Sequence, residues 1–293
     1  MNSCDTVIIC AELTELAPFV NRTWLQECLA HRFEDSCQPP DPEKVFPTPG
    51  KELSGLRFYS LDLPEIPGKI LGVQSGVGMV NAARTAAIAI EVLGARQVLY
   101  SGTAGGLAKD SQVGEVVFGD NYVFHSADAT AFGYQRGQLP GMPPSYAGNE
   151  RLLASARSLL TASDKKDSST ATDAVTFKNP IFTAETELAG ALEEIPARCG
   201  TIATGDSFIT DSNVNAVRSA FPTALAAEME SAAAAQVAFL SQVPFLAVRC
   251  ISDLCSPEGQ DVYHGNAAVC GAIAAAATIC LLSDCGCGHH LPT

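Results

Sequence analysis

Apolar residues along the chain fall into two rhythms. Short, nearly continuous runs occur at Val7-Ile8-Ile9-Cys10-Ala11, Leu56 to Leu61, Ile70 to Gln74, Val98-Leu99-Tyr100 and Phe245 to Ile251. Such runs predict strands buried on both faces of a sheet. Between them lie stretches with helical spacing. Glu12 to about Phe33 puts Leu16, Phe19, Leu25 and Leu29 on roughly one face. Met79 to Leu93 (closed by Gly94), Asn149 to Leu160, the Ala-rich Ala226 to Leu240 and Gly265 to Leu282 predict further helices. Val113 to Val117, Tyr122 to His125 and Thr201 to Thr204 continue the strand pattern. Strands alternating with helices through short Gly-rich turns predict an α/β fold, a three-layer αβα domain with a mixed, mostly parallel central sheet.

Two stretches break the rhythm. Gln38 to Gly50 holds five prolines, a density that neither a helix nor a central strand tolerates, so an insertion is expected over about 34–52. A second polar insertion is expected over about 161–180, and the tail 283–293 is expected to be flexible. With no internal repeat, residues 1–293 are expected to form a single domain.

Composition narrows the function. The chain has 293 residues, 18 Lys+Arg against 32 Asp+Glu, a net charge of -14 and 47% hydrophobic residues. That suits a globular protein with a sizeable core and excludes bulk disorder. The acidic balance, without any Lys/Arg cluster, argues against a nucleic-acid partner. The Ala-rich run Ala272 to Leu282 is too short for a bilayer, and Met1 to Ala11 lacks the features of a signal peptide. A cytoplasmic protein without a membrane partner is expected. Eleven cysteines are scattered without a repeated CxxC pair, so neither a structural metal nor a cofactor is expected. Cys285, Cys287, His289 and His290 in the tail leave metal binding and a frayed terminus both open.

Two Gly-rich segments, Ser75-Gly76-Val77-Gly78 and Ser101-Gly102-Thr103-Ala104-Gly105-Gly106, follow predicted strands, where α/β proteins bind ligands. Neither has the spacing of a nucleotide-binding loop. Acidic residues are more telling. Glu15, Glu228-Met229-Glu230 and Ser252-Asp253 stand at ends of predicted strands or in the helix opening behind one. The last two sit inside otherwise apolar segments, the Asp close to Arg249. Charges in such places must be paired or used. Together they match the needs of N-glycosidic hydrolysis: an acid for the leaving base, a carboxylate for the sugar and one for water.

With those residues in view, the chain resembles the nucleoside phosphorylase superfamily, and within it the 5′-methylthioadenosine/S-adenosylhomocysteine nucleosidases. The matching pieces are the two Gly-rich segments, His125-Ser126-Ala127-Asp128-Ala129-Thr130-Ala131-Phe132-Gly133-Tyr134, Gln138-Leu139-Pro140-Gly141, Gly205-Asp206-Ser207-Phe208-Ile209, Glu228-Met229-Glu230 and Ile251-Ser252-Asp253. They cover nearly the whole chain except the insertions and the tail. The resemblance implies release of adenine from a purine nucleoside, in methionine salvage and methyl-cycle catabolism, by a homodimer that needs no cofactor. It implies that Asp253 protonates the purine at N7, with Ser252 orienting it. Glu230 would hold the ribose hydroxyls beside Met229, and Glu15 would position or deprotonate the attacking water, with Glu12 as the alternative if the register slips. Phe208 would pack on the adenine and the backbone of Ile209 would read its edge. Thr103, Ala104, Gly105, Glu228 and Arg249 would surround the sugar and the nucleophile.

Sister enzymes that use phosphate carry an Arg three residues before the hydroxyl residue of the glycine turn. Here that position is Tyr100, and Ser75 to Asn81 contains no Lys or Arg. Missing this clamp, the chain is expected to use water. A phosphate-dependent phosphorylase, a nucleosidase for another purine compound of the futalosine type and a non-catalytic nucleoside-binding protein are the alternatives.

Overall fold

The computed structural model describes residues 4–30, 45–46, 51–162, 175–177, 195–257 and 259–286. Most of both expected insertions, and the tail from residue 287 with Cys287, His289 and His290, lie outside the described residues. Strand β1 (Thr6–Cys10), fully buried, runs parallel between β4 (Ile70–Gln74) and β5 (Gln97–Gly106). Beyond β4 the sheet ends in antiparallel strands β3 (Leu56–Ser60) and β2 (Lys51–Leu53). On the other side β5 pairs parallel with β12 (Phe245–Asp253), which pairs antiparallel with β6 (Val116–Phe124), itself paired antiparallel with the short β7 (Tyr146–Ala147). Parallel pairing then continues through β10 (Ala197–Thr204) to β11 (Ala224–Glu228). Strand β11 returns to pair antiparallel with β5 at Ala226 and Ala227. This half of the mixed sheet therefore closes into a barrel-like ring, which a stack of three flat layers does not describe. Register shifts at Gly200/Thr201, Thr201/Ile202 and Ile251/Asp253 supply the bending.

Successive residues of each strand face opposite cores. Ile8, Cys10, Leu246 and Val248 join the core beneath α1 (Leu13–Val20), α2 (Arg22–Ala30), α4 (Glu150–Leu159) and α7 (Gly259–Gly286). Val7, Ile9, Phe245 and Ala247 face α3 (Met79–Ala87) and α6 (Ser231–Ser241). Helix α5 (Val214–Ala220) adds Val214 and Val217 to a smaller core near β11. Two-sided burial explains why these strands carry no polar alternation.

Several boundaries differ from the sequence pattern. The helix expected over 12–33 is two helices parted at Asn21, which is extended and accepts the Trp24 N–H on its side chain. The glycine run 101–106 is not a turn but the second half of β5. Its glycines permit close approach: a Cβ on Gly102 would lie 2.6 Å from Glu15 Oε1 and 2.7 Å from Arg249 Nη1. Ala226 to Leu240 is not one helix, because Ala224–Glu228 is a strand and α6 begins only at Ser231. Alanine fits either state, and pairing with β5 and β10 decides. The edges of the second insertion, β8 (Leu160–Ala162) and β9 (Val175–Phe177), form an antiparallel ladder. Helix α7 begins six residues earlier than expected and runs on through residues 283–286, which the sequence reading gives to the tail. By length and composition alone it could cross a membrane, but its apolar stretch is 89% buried, so it is the central core helix of this fold.

Candidate active site

The carboxyl ends of β1, β5, β11 and β12 open into one cavity of about 220 Å³. Glu15, Thr103, Ala104, Gly105, Phe208, Ile209, Glu228, Met229, Glu230, Arg249, Ser252 and Asp253, scattered over 239 positions of sequence, all line it. Ring closure of the sheet brings them together, because it lays the ends of β11 and β12 beside β5.

One wall is built on Glu15. Its Oε2 accepts the backbone N–H groups of Ala11 (3.0 Å) and Glu12 (3.1 Å), which fixes the first turn of α1 against the end of β1. Its Oε1 accepts the N–H and the hydroxyl of Thr103, at 2.8 and 3.0 Å. Burial pushes the Glu15 carboxyl upward, against the opposing pull of Arg249 and those donors. A buried carboxylate with an adjacent hydroxyl can hold a water and take its proton. Glu12 stands nearer the rim, half-buried, where its Oε2 accepts the Tyr263 hydroxyl at 2.7 Å.

Arg249 forms the floor. Its guanidinium is buried, pairs with Glu228, donates to Ser231 Oγ (3.0 Å) and to the Thr103 carbonyl (3.3 Å), and reaches Glu230 Oε2 at 3.4 Å. Tyr100 lies beneath it, the ring centre 4.7 Å from Arg249 Cζ, with its hydroxyl 2.7 Å from Ser75 Oγ. Burial works against the charge of Arg249, and Glu228, Glu230 and Glu15 outweigh it, so the guanidinium stays protonated. Glu228 is saturated by Arg249, Thr204 Oγ1, Ser231 Oγ and the N–H groups of Glu230 and Ser231. Its place is to hold Arg249 and the start of α6. Glu230 is less encumbered: Oε1 accepts the Gly78 N–H at 2.8 Å, Oε2 meets Arg249 at the longer 3.4 Å, and the carboxylate lines the cavity. Burial first, and the Glu228 charge second, push Glu230 up to about 8.

Asp253 closes the far end. Its Oδ1 accepts the Cys255 N–H at 2.9 Å and its Oδ2 the Ser252 hydroxyl at 3.1 Å. Burial raises its pKa, moderated by those two hydrogen bonds. Among the described residues no ion pair reaches Asp253; Arg249, four residues earlier, is committed to Glu228. A carboxyl raised in this way can retain a proton and donate it. Phe208, 42% exposed, lines the same cavity and meets Tyr263 edge-on at 5.8 Å.

The cavity includes groups to which the sequence reading assigned no role. Tyr263 comes from the first turns of α7, ahead of the predicted start, so its helical position was not legible. Cys255 lies two residues past Asp253, with φ +53° and a thiol pushed up to about 12 by burial and by Asp253. Val77, Ser207, Ala11 and Ala227 also line the wall. Arg249 is the only Lys or Arg among the lining residues described, against five carboxylates. Among the described residues no group of three or more His, Cys, Asp or Glu is placed to hold a metal ion.

Comparison with known proteins places this geometry. A sequence model of the phosphorylase superfamily matches residues 31–285. A 5′-methylthioadenosine/S-adenosylhomocysteine nucleosidase of Marinomonas sp. (strain MWYL1) is 37% identical over 214 residues, covering 72% of this chain and 79% of that protein. The nucleosidase of the same description from Anoxybacillus flavithermus is 36% identical over 217 residues, 74% of this chain and 80% of its own. Among solved structures, the 5′-methylthioadenosine/S-adenosylhomocysteine nucleosidase of Colwellia psychrerythraea 34H, in complex with adenine, matches with a TM-score of 0.72 and 26% identity over 97% of this chain and 96% of that one.

Proposed function

The chain belongs to the phosphorylase superfamily and, within it, to the 5′-methylthioadenosine/S-adenosylhomocysteine nucleosidases, and from that membership we propose how its cavity works. The enzyme hydrolyses the N-glycosidic bond of 5′-methylthioadenosine and S-adenosylhomocysteine, releasing adenine. Asp253 protonates the base at N7 so that adenine departs neutral, and Ser252 and the Cys255 N–H orient the carboxyl. Phe208 stacks on the base and the backbone of Ile209 reads its edge. Glu230 takes the ribose diol, two hydroxyls to one carboxylate, beside Met229. Glu15, with Thr103, holds the attacking water and accepts its proton, and the carboxylates facing the sugar favour the positive charge that develops there.

The observation that carries hydrolysis rather than phosphorolysis is the charge around Arg249. Glu228 pairs with it, Glu230 lies 3.4 Å away, and Glu15 lies across Thr103, so a phosphate dianion would meet more negative than positive charge. Tyr100 stands neutral where the phosphate-using sister enzymes carry an Arg. Product analysis with 5′-methylthioadenosine in phosphate-free buffer tests the proposal: free adenine and methylthioribose are expected at a rate that added phosphate leaves unchanged. Ribose 1-phosphate products, or a rate that vanishes without phosphate, would replace it with phosphorolysis. Binding without turnover would replace it with a nucleoside-binding protein.

The same reading extends to a homodimer. Phe132 (83% exposed) and Val80 (77% exposed) are large apolar side chains in water, and an apolar groove formed by Val80, Ala83, Phe124, Ala127 and Leu139 runs beside α3 and α6. A second copy on that face would bury them. Free thiols at the described cysteines fit a reducing, cytoplasmic setting.

A further inference from the structure

Two neighbouring amides open helix α3; one is held by a carboxylate that lines the cavity and the other by a carboxylate outside it. The Gly78 N–H donates to Glu230 Oε1 at 2.8 Å, and the Met79 N–H donates to Asp206 Oδ1, also at 2.8 Å. Asp206 is 127 residues away in sequence and does not line the cavity. It begins the segment whose Phe208 and Ile209 line the cavity. Gly78 shows how close the clasp is: it adopts φ +100°, and a Cβ there would come within 3.0 Å of Asp206 Oδ1. The other side of the segment is tight as well, since a Cβ on Gly205 would lie 2.5 Å from His125 Cε1. Downstream, Asn213 Nδ2 donates to the Phe208 carbonyl at 3.1 Å. Among the described residues no other hydrogen bond ties residues 206–208 to α3.

We infer that Asp206 is a positioning residue: by clasping the first turn of α3 it fixes the base-stacking Phe208 at a set spacing from the sugar-binding Glu230. The inference rests on the assignment of the cavity to a purine nucleoside. One helix turn is the common anchor, so the base end and the sugar end are built to one geometry before substrate enters. The segment of residues 206–208 is exposed, and without the clasp it must be ordered by the substrate itself. Ordering at that moment costs affinity, while the chemistry of the bound complex is little altered. Asp206 carries out no chemical step.

Asp206→Ala removes the acceptor, and Asp206→Asn keeps an oxygen for the Met79 N–H. Steady-state kinetics with 5′-methylthioadenosine, the Kd of free adenine and the Tm are measured on all three proteins. For Asp206→Ala the expected result is a KM and an adenine Kd each raised about tenfold, as for loss of one charge-assisted hydrogen bond. Its kcat should stay within about threefold, with Asp206→Asn recovering most of the affinity. A purely structural role would instead lower Tm in the alanine variant and leave KM and adenine affinity of the folded protein unchanged. That result overturns the inference, as does an asparagine variant as impaired as the alanine one, or a kcat that falls while KM stays put. Failure of the underlying assignment is read separately, because wild-type protein would then release no adenine from 5′-methylthioadenosine.

Discussion

Replacing Asp253 by Asn separates proton donation from base recognition. The local fold tolerates the change. The Asn oxygen can keep the Cys255 N–H now 2.9 Å from Oδ1, and the new amide NH₂ would face Ser252. Ser252 Oγ already lies 3.3 Å from the Ala104 carbonyl, so its hydroxyl proton has another acceptor and its oxygen can take the amide. No cation loses its partner, because Arg249 is paired with Glu228. A stable adenine nucleoside analogue should therefore bind within about tenfold of wild type, since one neutral hydrogen bond contributes roughly 1 kcal/mol. Turnover should suffer far more: without an acid the base leaves as an anion, and general acids contribute about 10²–10⁴-fold to rate, roughly 3–5 kcal/mol of barrier. The Tm should be unchanged or slightly higher near pH 8, because the buried site that raises the Asp253 pKa penalises the carboxylate and not the amide. The pH profile supplies a second reading. Wild-type kcat should decline as pH rises past the raised Asp253 pKa, and the residual rate of the variant should lack that limb. Analogue affinity, Tm and kcat on one preparation decide the matter. A folded, tightly binding variant with near-normal turnover refutes the acid role; early melting with weak binding makes Asp253 structural.

Three further outcomes follow from the same geometry. Glu230→Gln keeps an acceptor for the Gly78 N–H but cannot ionise, so at pH above about 8, where the wild-type carboxylate faces the sugar, kcat should fall on the order of 10²-fold or more, and an unchanged kcat there would remove Glu230 from the site. The stability of that variant should depend on pH. In the folded protein Glu230 is raised to about 8 from an ordinary 4.5, so the folded state holds the proton longer than the unfolded one and wild-type stability falls as pH rises between those values. Glu230→Gln should therefore melt above wild type at pH 8.5, the gap closing toward pH 5; a gap that widens on acidification contradicts the assignment. Glu228→Leu leaves the buried Arg249 guanidinium without its main partner and should cost about 3–5 kcal/mol in chemical denaturation; a loss below 1 kcal/mol would show that Arg249 does not depend on Glu228.

What the sequence made legible depends on where the information resides. Strands such as Thr6–Cys10 and Ile70–Gln74 declare themselves because both faces are buried and the run between their polar ends is apolar. The acids could be found for the converse reason: Glu230 and Asp253 interrupt apolar runs, and a charge in such a run needs a use. Local pattern could not tell a strand from a helix at Ala224–Glu228, since alanine suits both and the deciding partner, Gly105-Gly106 of β5, lies about 120 residues earlier. Nor could it tell a glycine turn from a glycine strand at 101–106, where the missing side chain at Gly102 makes room for Glu15 and Arg249. Pairing with β12 settles the second ambiguity and closure of β11 onto β5 the first, and that closure also assigns Glu228 and Glu230 different work. Side chains two apart on a continuing helix would point about 200° apart; here the chain turns at Met229 between a strand end and a helix start. Glu228 is thereby turned inward to pair with Arg249, and Glu230 is left with one oxygen on the Gly78 amide and the other only 3.4 Å from Arg249, its carboxylate lining the cavity. The acidic pair could be read from composition, but its division into a support for the arginine and a ligand for the sugar exists only once the ring is closed.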